Sequence, residues 1–265
     1  ALERSADITG GGQVNLANTV RAINYAVDHG ARVINYSGGG PEFSEEEYLA
    51  IKRAESKGVL FVAAAGNSAL NNDSSPFYPS SYTTLSTAGW EAVTSVASID
   101  STGGLSYFSN YGATSVDIGA PGSSVISSTP GGNYGYLSGT SMATPHVAGT
   151  LALFAGSFPQ ADRRELREVL LSTTRATTSL NGKVVSNGRL DTMAGLTELA
   201  SRYSGTYPTY LVTGPSSANE GVSVTLTITT TNVDNGTTLY WSISGVQTGD
   251  ITPSNLTGNV VVNSN

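Results

Sequence analysis

The sequence predicts an α/β fold, a parallel sheet with helices on both faces, followed by a small all-β region. Helical and strand patterns alternate along most of the chain, which is typical of such a sheet. Residues 33–34 and 59–65 form wholly apolar strands, as expected for strands covered on both faces. Beyond residue 203 the helical pattern stops and apolar residues alternate with threonine and serine, the period of a half-buried strand.

The first half of the chain predicts a strand–helix–strand unit. An amphipathic helix covers residues 13–29, and its apolar stripe consists of Leu16, Val20, Ile23 and Val27. The strand at 33–34 follows. Ser44 and Glu47 then form a capping box that opens a second helix before the strand at 59–65. These elements make a βαβ unit, in which the two strands are parallel.

Further elements follow at short intervals. Strands are predicted at residues 95–99, 116–118 and 124–126, where β-branched residues are frequent. A buried helix is predicted over 142–154, because its residues are almost wholly apolar or small. A last helix is predicted over about 163–171. The alternation of strands and helices therefore continues to the end of the α/β region.

Residues 139–149, Gly-Thr-Ser-Met-Ala-Thr-Pro-His-Val-Ala-Gly, are the most informative stretch of the chain. Gly139 permits a sharp turn, and Ser141 then stands at the start of the predicted buried helix. The unpaired N–H groups and the dipole of a helix N-terminus favour a negative charge that develops nearby. A hydroxyl at this position is also explained as an ordinary N-cap. From this residue alone, both interpretations stay open.

Three motifs in order resemble those of the subtilisin-like (subtilase, S8 family) serine proteases. They are Asn35–Gly39, Ala64–Asn67 and the string at 139–149, and the resemblance spans residues 1–203. It implies that Ser141 is the nucleophile and that Asn67 donates a hydrogen bond to the oxyanion. It also implies two walls of a substrate cleft. One wall is Ser37, Gly38 and Gly39, and the other is Ala64, Ala65 and Gly66.

Both wall motifs directly follow strands, so we expect them at the carboxyl edge of the sheet, where open α/β sheets bind ligands. Taken singly, Ser37–Gly39 is also explained as a plain loop and Asn67 as a turn residue. The resemblance implies that an extended substrate pairs with the Ser37–Gly39 backbone and places a side chain in a broad, mostly apolar pocket. It further implies a cis peptide bond at Tyr78–Pro79.

The general base is not evident in this sequence. A serine hydroxyl needs a neighbouring base, usually a histidine oriented by a carboxylate. His146 follows Ser141 by five positions on the same helix and points away from it. His29 ends the first helix, where a C-terminal cap explains it. The Asp and His motifs that the resemblance implies are absent, so we expect the chain to be an internal piece that follows the segment carrying both.

Composition limits the function classes. The net charge is −7 with 13 Lys and Arg, so the basic surface of a nucleic-acid-binding protein is missing. No apolar run approaches the ~20 residues of a membrane span. The chain has 0 cysteines and 31 glycines with few charges, a composition that favours a secreted or cell-surface bacterial protein. Expected partners are protein or peptide substrates and the missing N-terminal segment.

No cofactor is expected for the chemistry, and structural calcium is an open possibility. Asn71, Asn72, Asp73 and Asp100 lie in polar loops and offer the oxygen ligands that calcium prefers. They lack the alternating spacing of a calcium-binding loop, so solvated turns are the competing interpretation.

The domain boundaries follow from the change in composition. Residues 1–203 form the peptidase-like domain, 204–215 a linker that contains Pro208 and Pro215, and 216–265 a partial immunoglobulin-like β module. Asn235-Gly236 predicts a hairpin within that module. Only about four strands fit where a sandwich has about seven, so we expect this module to be truncated. It is either a spacer or an attachment module.

Two function classes remain. One is a secreted serine endopeptidase, of which this chain holds the nucleophile and the oxyanion asparagine but not the base. The other is a non-catalytic, protease-like binding or surface protein. The presence of both Ser141 and Asn67 favours the first, because a binding protein needs neither.

Overall fold

The computed structural model describes residues 12–85, 89–204, 209–215, 217, 219, 222–243 and 257–263. The chain divides into two compact units, Ala1–Ala200 and Ser201–Asn265. The first unit contains the α/β fold that the sequence predicts. The finer division into a linker at 204–215 and a module at 216–265 stays a prediction.

A six-stranded sheet forms the centre of the first unit, in the order β1-β2-β3-β4-β8-β7. Neighbouring strands are parallel except for the last pair, β8 and β7. The strands are β1 (Val33–Tyr36), β2 (Leu60–Ala64), β3 (Val93–Ile99), β4 (Ile118–Pro121), β7 (Arg175–Ala176) and β8 (Gly188–Arg189). Every residue of β2 and β3 is buried, which explains their apolar sequences.

Helices cover both faces of this sheet. They are α1 (Gly12–Asp28), α2 (Glu45–Ser56), α3 (Thr140–Ser157), α4 (Arg163–Ser172) and α5 (Thr192–Arg202). Helices α1 and α2 pack against one face of β1 and β2 in a common core. Ile23 of α1, Ile51 of α2 and Phe61 of β2 are buried in this core. Because side chains alternate along a strand, the other face of β1, β2 and β3 packs against α3.

Local hydrogen bonds fix the ends of these helices. Ser44 Oγ accepts from Glu47 N at 3.2 Å, which is the capping interaction predicted for α2. The Glu47 carboxylate is buried and accepts from the hydroxyls of Tyr36 and Tyr82, both at 3.1 Å. This network joins the start of α2 to the end of β1, and the chain after β1 forms part of the candidate site.

Some elements differ from the prediction. Helix α5 lies beyond the helix at 163–171 that was predicted to be the last. The strand expected at 116–118 begins later, at Ile118, although Asp117 N already donates to Ser95 O of β3 at 2.9 Å. A hairpin of β5 (Val125–Thr129) and β6 (Asn133–Leu137) lies between β4 and α3. It contains the strand predicted at 124–126 and leads directly into the segment before Ser141.

The described part of the second unit contains two separate two-stranded sheets. Strand β9 (Thr209–Thr213) pairs with β10 (Thr227–Thr231), and β11 (Thr238–Ser242) pairs with β12 (Thr257–Val261), all antiparallel. The hairpin predicted at Asn235-Gly236 is wrong, because the strands on either side of it pair with other strands. Gly236 N instead donates to Val262 O at 2.8 Å and extends the pairing of β11 with β12.

The length and hydropathy of the helices bear on membrane insertion. Among the residues that the structure describes, no helix has both the length and the apolar character needed to span a bilayer.

Candidate active site

Ser141 lies in the first turn of α3, as predicted. The helix begins at Thr140, and the N-cap is Gly139, which has no side chain to satisfy the first amides. The apolar side of α3 is buried in the core by Ala143, Val147, Leu151 and Phe154. Ser141 N belongs to the first turn, where no carbonyl within the helix accepts from it. Packing of the helix therefore fixes both the hydroxyl and the amide of Ser141.

Thr140 joins the start of α3 to the loop after β2. Asn67 Oδ1 accepts from Thr140 N at 2.8 Å and from Thr140 Oγ1 at 3.0 Å. A main-chain N–H can only donate, so this contact identifies Oδ1 and turns Nδ2 away from Thr140. Thr140 Oγ1 also accepts from Gly66 N at 3.2 Å, and Thr140 is wholly buried. The loop after β2 and the helix start are thus held as one piece.

Two N–H donors converge beside Gly139. A Cβ built on Gly139 would lie 3.4 Å from Asn67 Nδ2 and 3.6 Å from Ser141 N. Both nitrogens therefore lie close to Gly139, on the side where its Cβ would project. Two fixed N–H donors near one point stabilise a negative oxygen that forms there during a reaction.

The first predicted wall lies against Ser141. Ser37 Oγ donates to Ser141 O at 2.8 Å, and Ser141 Oγ donates to Ser37 O at 3.2 Å. Strands β1 and β2 are parallel neighbours, so the segments that follow them, Ser37–Gly39 and Ala65–Asn67, meet at one edge of the sheet. This edge is the carboxyl edge on which the sequence placed the site.

The predicted wall residues differ in what they present to the cleft. Gly39 has φ of 154° and Gly66 has φ of 110°, values that favour glycine. Gly38 is half-buried between Ser37 and Gly39. Ala64 is buried at the end of β2, and Ala65 packs into a core cluster with Ala97 and Val116. The methyl group of Ala65 therefore lies in the core rather than in the cleft.

Phe77 occupies the space between the two walls. A Cβ on Gly39 would lie 2.5 Å from Phe77 Cε1, and a Cβ on Gly66 would lie 3.2 Å from Phe77 Cγ. The next residue, Tyr78, bridges to Gly40 through two main-chain hydrogen bonds of 2.7 and 2.8 Å. The Tyr78–Pro79 peptide bond is cis, as the resemblance implied. An aromatic ring thus lies between the two walls, where the resemblance implied a broad, mostly apolar pocket.

Both histidines of the chain bind carbonyls of their own helices. His29 Nδ1 lies 2.8 Å from Tyr25 O at the end of α1, and its ring stacks on that of Tyr25. His146 Nδ1 lies 2.9 Å from Met142 O on α3, and its side chain is exposed. The Ser141 hydroxyl donates to a carbonyl and not to an imidazole. The expectation that neither histidine is the base of Ser141 agrees with this geometry.

Two buried asparagines support the loop that carries Asn67. Asn110 Oδ1 accepts from Ser68 N at 2.8 Å and from Leu70 N at 3.2 Å. Asn110 Nδ2 donates to Asn72 Oδ1 at 2.9 Å, and Asn72 Nδ2 donates to Ala65 O at 2.9 Å. Sequence reasoning missed Asn110 and the roles of Thr140 and Phe77, because these depend on contacts between distant loops.

The carboxylates considered for calcium hold neighbouring turns. Asp73 accepts from the amides of Ala113 and Thr114 and from the hydroxyls of Thr114 and Ser115, at 2.7 to 3.1 Å. Burial acts to raise the pKa of Asp73, but these hydrogen bonds outweigh it and the pKa is lowered. Asp100 accepts from Thr102 and Gly104 in its own turn. Within the described ranges, no cluster of three or more His, Asp or Glu residues could hold a metal ion.

Known proteins resemble this chain in sequence and in fold. A family model described as "Subtilase family" matches residues 5–196. The thermophilic serine proteinase of Bacillus sp. strain AK1 is 44% identical over 152 residues, 57% of this chain and 34% of that protein. Subtilisin amylosacchariticus of Bacillus subtilis subsp. amylosacchariticus is 37% identical over 168 residues, 63% of this chain and 41% of that protein.

A solved structure extends the similarity to the fold. The structure of prenylagaramide maturation protease PagA matches with a TM-score of 0.62 at 27% identity, covering 76% of this chain and 71% of PagA. The chain spans less than half the length of the two Bacillus relatives.

Proposed function

The chain belongs to the subtilase family of serine proteases, and we propose that it is the part of an endopeptidase that carries the nucleophile, the oxyanion hole and the substrate cleft. Ser141 Oγ attacks the carbonyl carbon of a peptide bond, and the tetrahedral oxyanion accepts from Ser141 N and Asn67 Nδ2. The observation that carries the proposal is the convergence of these two donors beside Gly139. Collapse of the intermediate expels the amine, and water then releases the acyl group.

The general base comes from a segment of the same protein outside residues 1–265. In this family, a histidine oriented by a carboxylate takes the proton of the nucleophilic serine. Both histidines of this chain instead bind carbonyls of their own helices. Strand β1 supports this part of the proposal. It is the edge of the six-stranded sheet and, within the described residues, pairs with β2 alone, so its other side is available to a further strand. Without that segment, residues 1–265 are inactive.

The remaining parts of the proposal follow from the mechanism and from the relatives. Substrates are proteins and peptides with extended segments, which pair with the main chain of Ser37–Gly39. The chemistry requires no cofactor, because the nucleophile, the base and the oxyanion donors are all protein groups. The parent protein acts outside a bacterial cell or on its surface, in keeping with the sparse charge of the sequence. A non-catalytic role leaves the paired donors beside Ser141 unexplained.

Labelling with a fluorophosphonate tests this function. Residues 1–265 alone should label negligibly, because no base activates the Ser141 hydroxyl. The protein that includes the base-bearing segment should label rapidly and to one equivalent, and Ser141→Ala should abolish the reaction. Rapid labelling of residues 1–265 alone would contradict the origin of the base, and absence of labelling in the complete protein would contradict the function.

A further inference from the structure

Phe77 fills the part of the cleft that lies between the two walls. Its Cγ end faces Gly66, and its Cε1 and Cζ end faces Gly39, where a Cβ would lie 2.5 and 3.0 Å from these two atoms. The six-membered ring therefore spans the gap from one wall to the other. The ring is only half-buried, so it closes the gap without being part of the core.

Hydrogen bonds hold the main chain of Phe77 in this position. Phe77 N donates to Ser81 Oγ at 3.0 Å. Phe77 O accepts from Ser80 Oγ at 2.7 Å and from Ser81 N at 2.9 Å. Tyr78 is bound on both sides of its main chain to Gly40, next to the first wall. These bonds fix the backbone from which the ring extends into the gap.

We propose that Phe77 determines substrate specificity by excluding large side chains, so that the residue before the scissile bond must be small, such as alanine, glycine or serine. This inference rests on the proposed function, because it takes Ser37–Gly39 and Ala64–Gly66 as the walls of the substrate cleft. A large apolar side chain would have to displace the ring from the gap between the two walls. A methyl group fits without this displacement. The broad, mostly apolar pocket that the resemblance implies is therefore reduced to a site for small side chains.

Binding of product-like peptides tests the proposal without any need for the catalytic base. The ligands are acetylated tetrapeptides that differ only in their last residue, Ala, Leu or Phe, and end in a free carboxylate that faces the oxyanion donors. Their affinities for residues 1–265 and for Phe77→Ala are measured by NMR titration. The unchanged chain should bind the Ala peptide at least ~10-fold more tightly than the Phe peptide. Phe77→Ala should reverse this order.

Two further variants test whether the change in peptide affinity comes from the side chain at position 77. Phe77→Leu replaces the ring with a smaller apolar side chain. It should raise the affinity for the Leu peptide more than the affinity for the Phe peptide. Tyr25→Ala removes an exposed aromatic ring from α1 and should leave all three affinities unchanged. Equal binding of the Ala and Phe peptides by the unchanged chain would overturn the proposal. So would a ratio that Phe77→Ala and Phe77→Leu leave unaltered, or failure of every peptide to bind both the unchanged chain and Phe77→Ala.

Kinetics of the complete protein separate this inference from the proposed function. With the base present, the ratio of kcat/KM for substrates with Phe and Ala before the scissile bond should rise at least ~100-fold in Phe77→Ala. Fluorophosphonate labelling of Ser141 should persist in that variant. Loss of labelling in the unchanged complete protein refutes the function, whereas labelling with an unaltered substrate ratio refutes only the role of Phe77.

Discussion

The two sides of the candidate site are built in different ways. On the nucleophile side, Asn67 and Thr140 are joined by directed hydrogen bonds, and Asn67 Nδ2 and Ser141 N both lie close to Gly139. On the pocket side, glycines of both walls lie against the ring of Phe77 with no space between them. The first side is defined by hydrogen bonds between polar groups, and the second by an aromatic ring that lies between two glycines.

This difference teaches that reactivity and selectivity are physically separable in this molecule. A hydrogen bond fixes direction, so loss of one partner on the nucleophile side should lower the rate with any substrate. Packing fixes volume, so a change on the pocket side should alter which substrate fits. Three predictions test how well this separation holds, from the largest expected effect to the smallest.

Asn67→Ala should have the largest effect, in the complete protein with its base. The variant loses one donor to the oxyanion, and kcat should fall about 10²–10³-fold, the range known from removal of such a donor in subtilisin. KM should change little, because the oxyanion exists only near the transition state. Steady-state kinetics with substrates of two sizes provide the measurement. A rise in KM at unchanged kcat would assign Asn67 to substrate positioning instead.

Thr140→Val should have a smaller effect through Asn67. The valine is similar in size but removes the hydroxyl that donates to Asn67 and accepts from Gly66 N. We expect kcat to fall about 10-fold, since one hydrogen bond to Asn67 is lost while that from Thr140 N remains. Because the buried amide of Gly66 loses its acceptor, the free energy of unfolding should also fall by about 1–3 kcal/mol. Kinetics and urea unfolding measure the two effects.

Thr144→Val is the matched control for that experiment. Thr144 is equally buried on the same helix, but its hydroxyl donates only to the carbonyl of Thr140 at 2.7 Å. It should leave kcat and KM nearly unchanged. If both threonine variants lose activity equally, Thr140 acts through the stability of α3 and not through Asn67. The ratio of rates for large and small substrates should stay constant in both.

Glu55→Gln should affect stability alone. Glu55 lies on α2 with 4% exposure, and its Oε1 has no hydrogen-bond partner among the described residues. Burial raises the pKa of Glu55, helped by the charge of Glu91. The native state therefore binds the proton more tightly than the unfolded state, and stability falls as pH rises through the native pKa. Glu55→Gln should therefore be more stable than the unchanged chain at pH 7.

The pH dependence of that difference gives the check. The gain should shrink toward pH 4, where the native carboxyl is protonated, as urea unfolding at several pH values would show. Glu45→Gln, exposed in the first turn of α2, is the control and should instead lose about 0.5 kcal/mol of stability. A gain for Glu55→Gln that grows at low pH would refute the assignment. Neither variant should change kcat or substrate preference.

Much of the fold and of the nucleophile side could be predicted from the sequence. Apolar strands, a capping box at Ser44 and a helix start at Ser141 are encoded by neighbouring residues, so local patterns reveal them. Parallel pairing of β1 and β2 then brings Ser37 and Asn67 to one edge without further information. The prediction of a hairpin at Asn235-Gly236 was wrong. These two residues favour a turn, but which strands pair depends on residues far away in the chain.

The pocket side could not be predicted, because it depends on the meeting of loops that are far apart in the chain. Phe77 reaches the walls only because Tyr78 bridges to Gly40, and no local pattern signals that bridge. From the sequence, Thr140 is only the residue before Ser141, although its hydroxyl binds both Asn67 and Gly66 N. Its role depends on the position of Gly66, which the sequence of α3 does not contain.

The contact of Phe77 with both Gly39 and Gly66 also constrains how this molecule can evolve. Any side chain added at either glycine meets the ring, and both glycines have φ values that other residues rarely adopt. A single substitution at either glycine is therefore disfavoured. This holds even if a smaller residue stands at position 77, because the backbone restriction remains. Position 77 itself has no such backbone restriction. Diversification among descendants of this protein should begin there, with both glycines retained in every lineage.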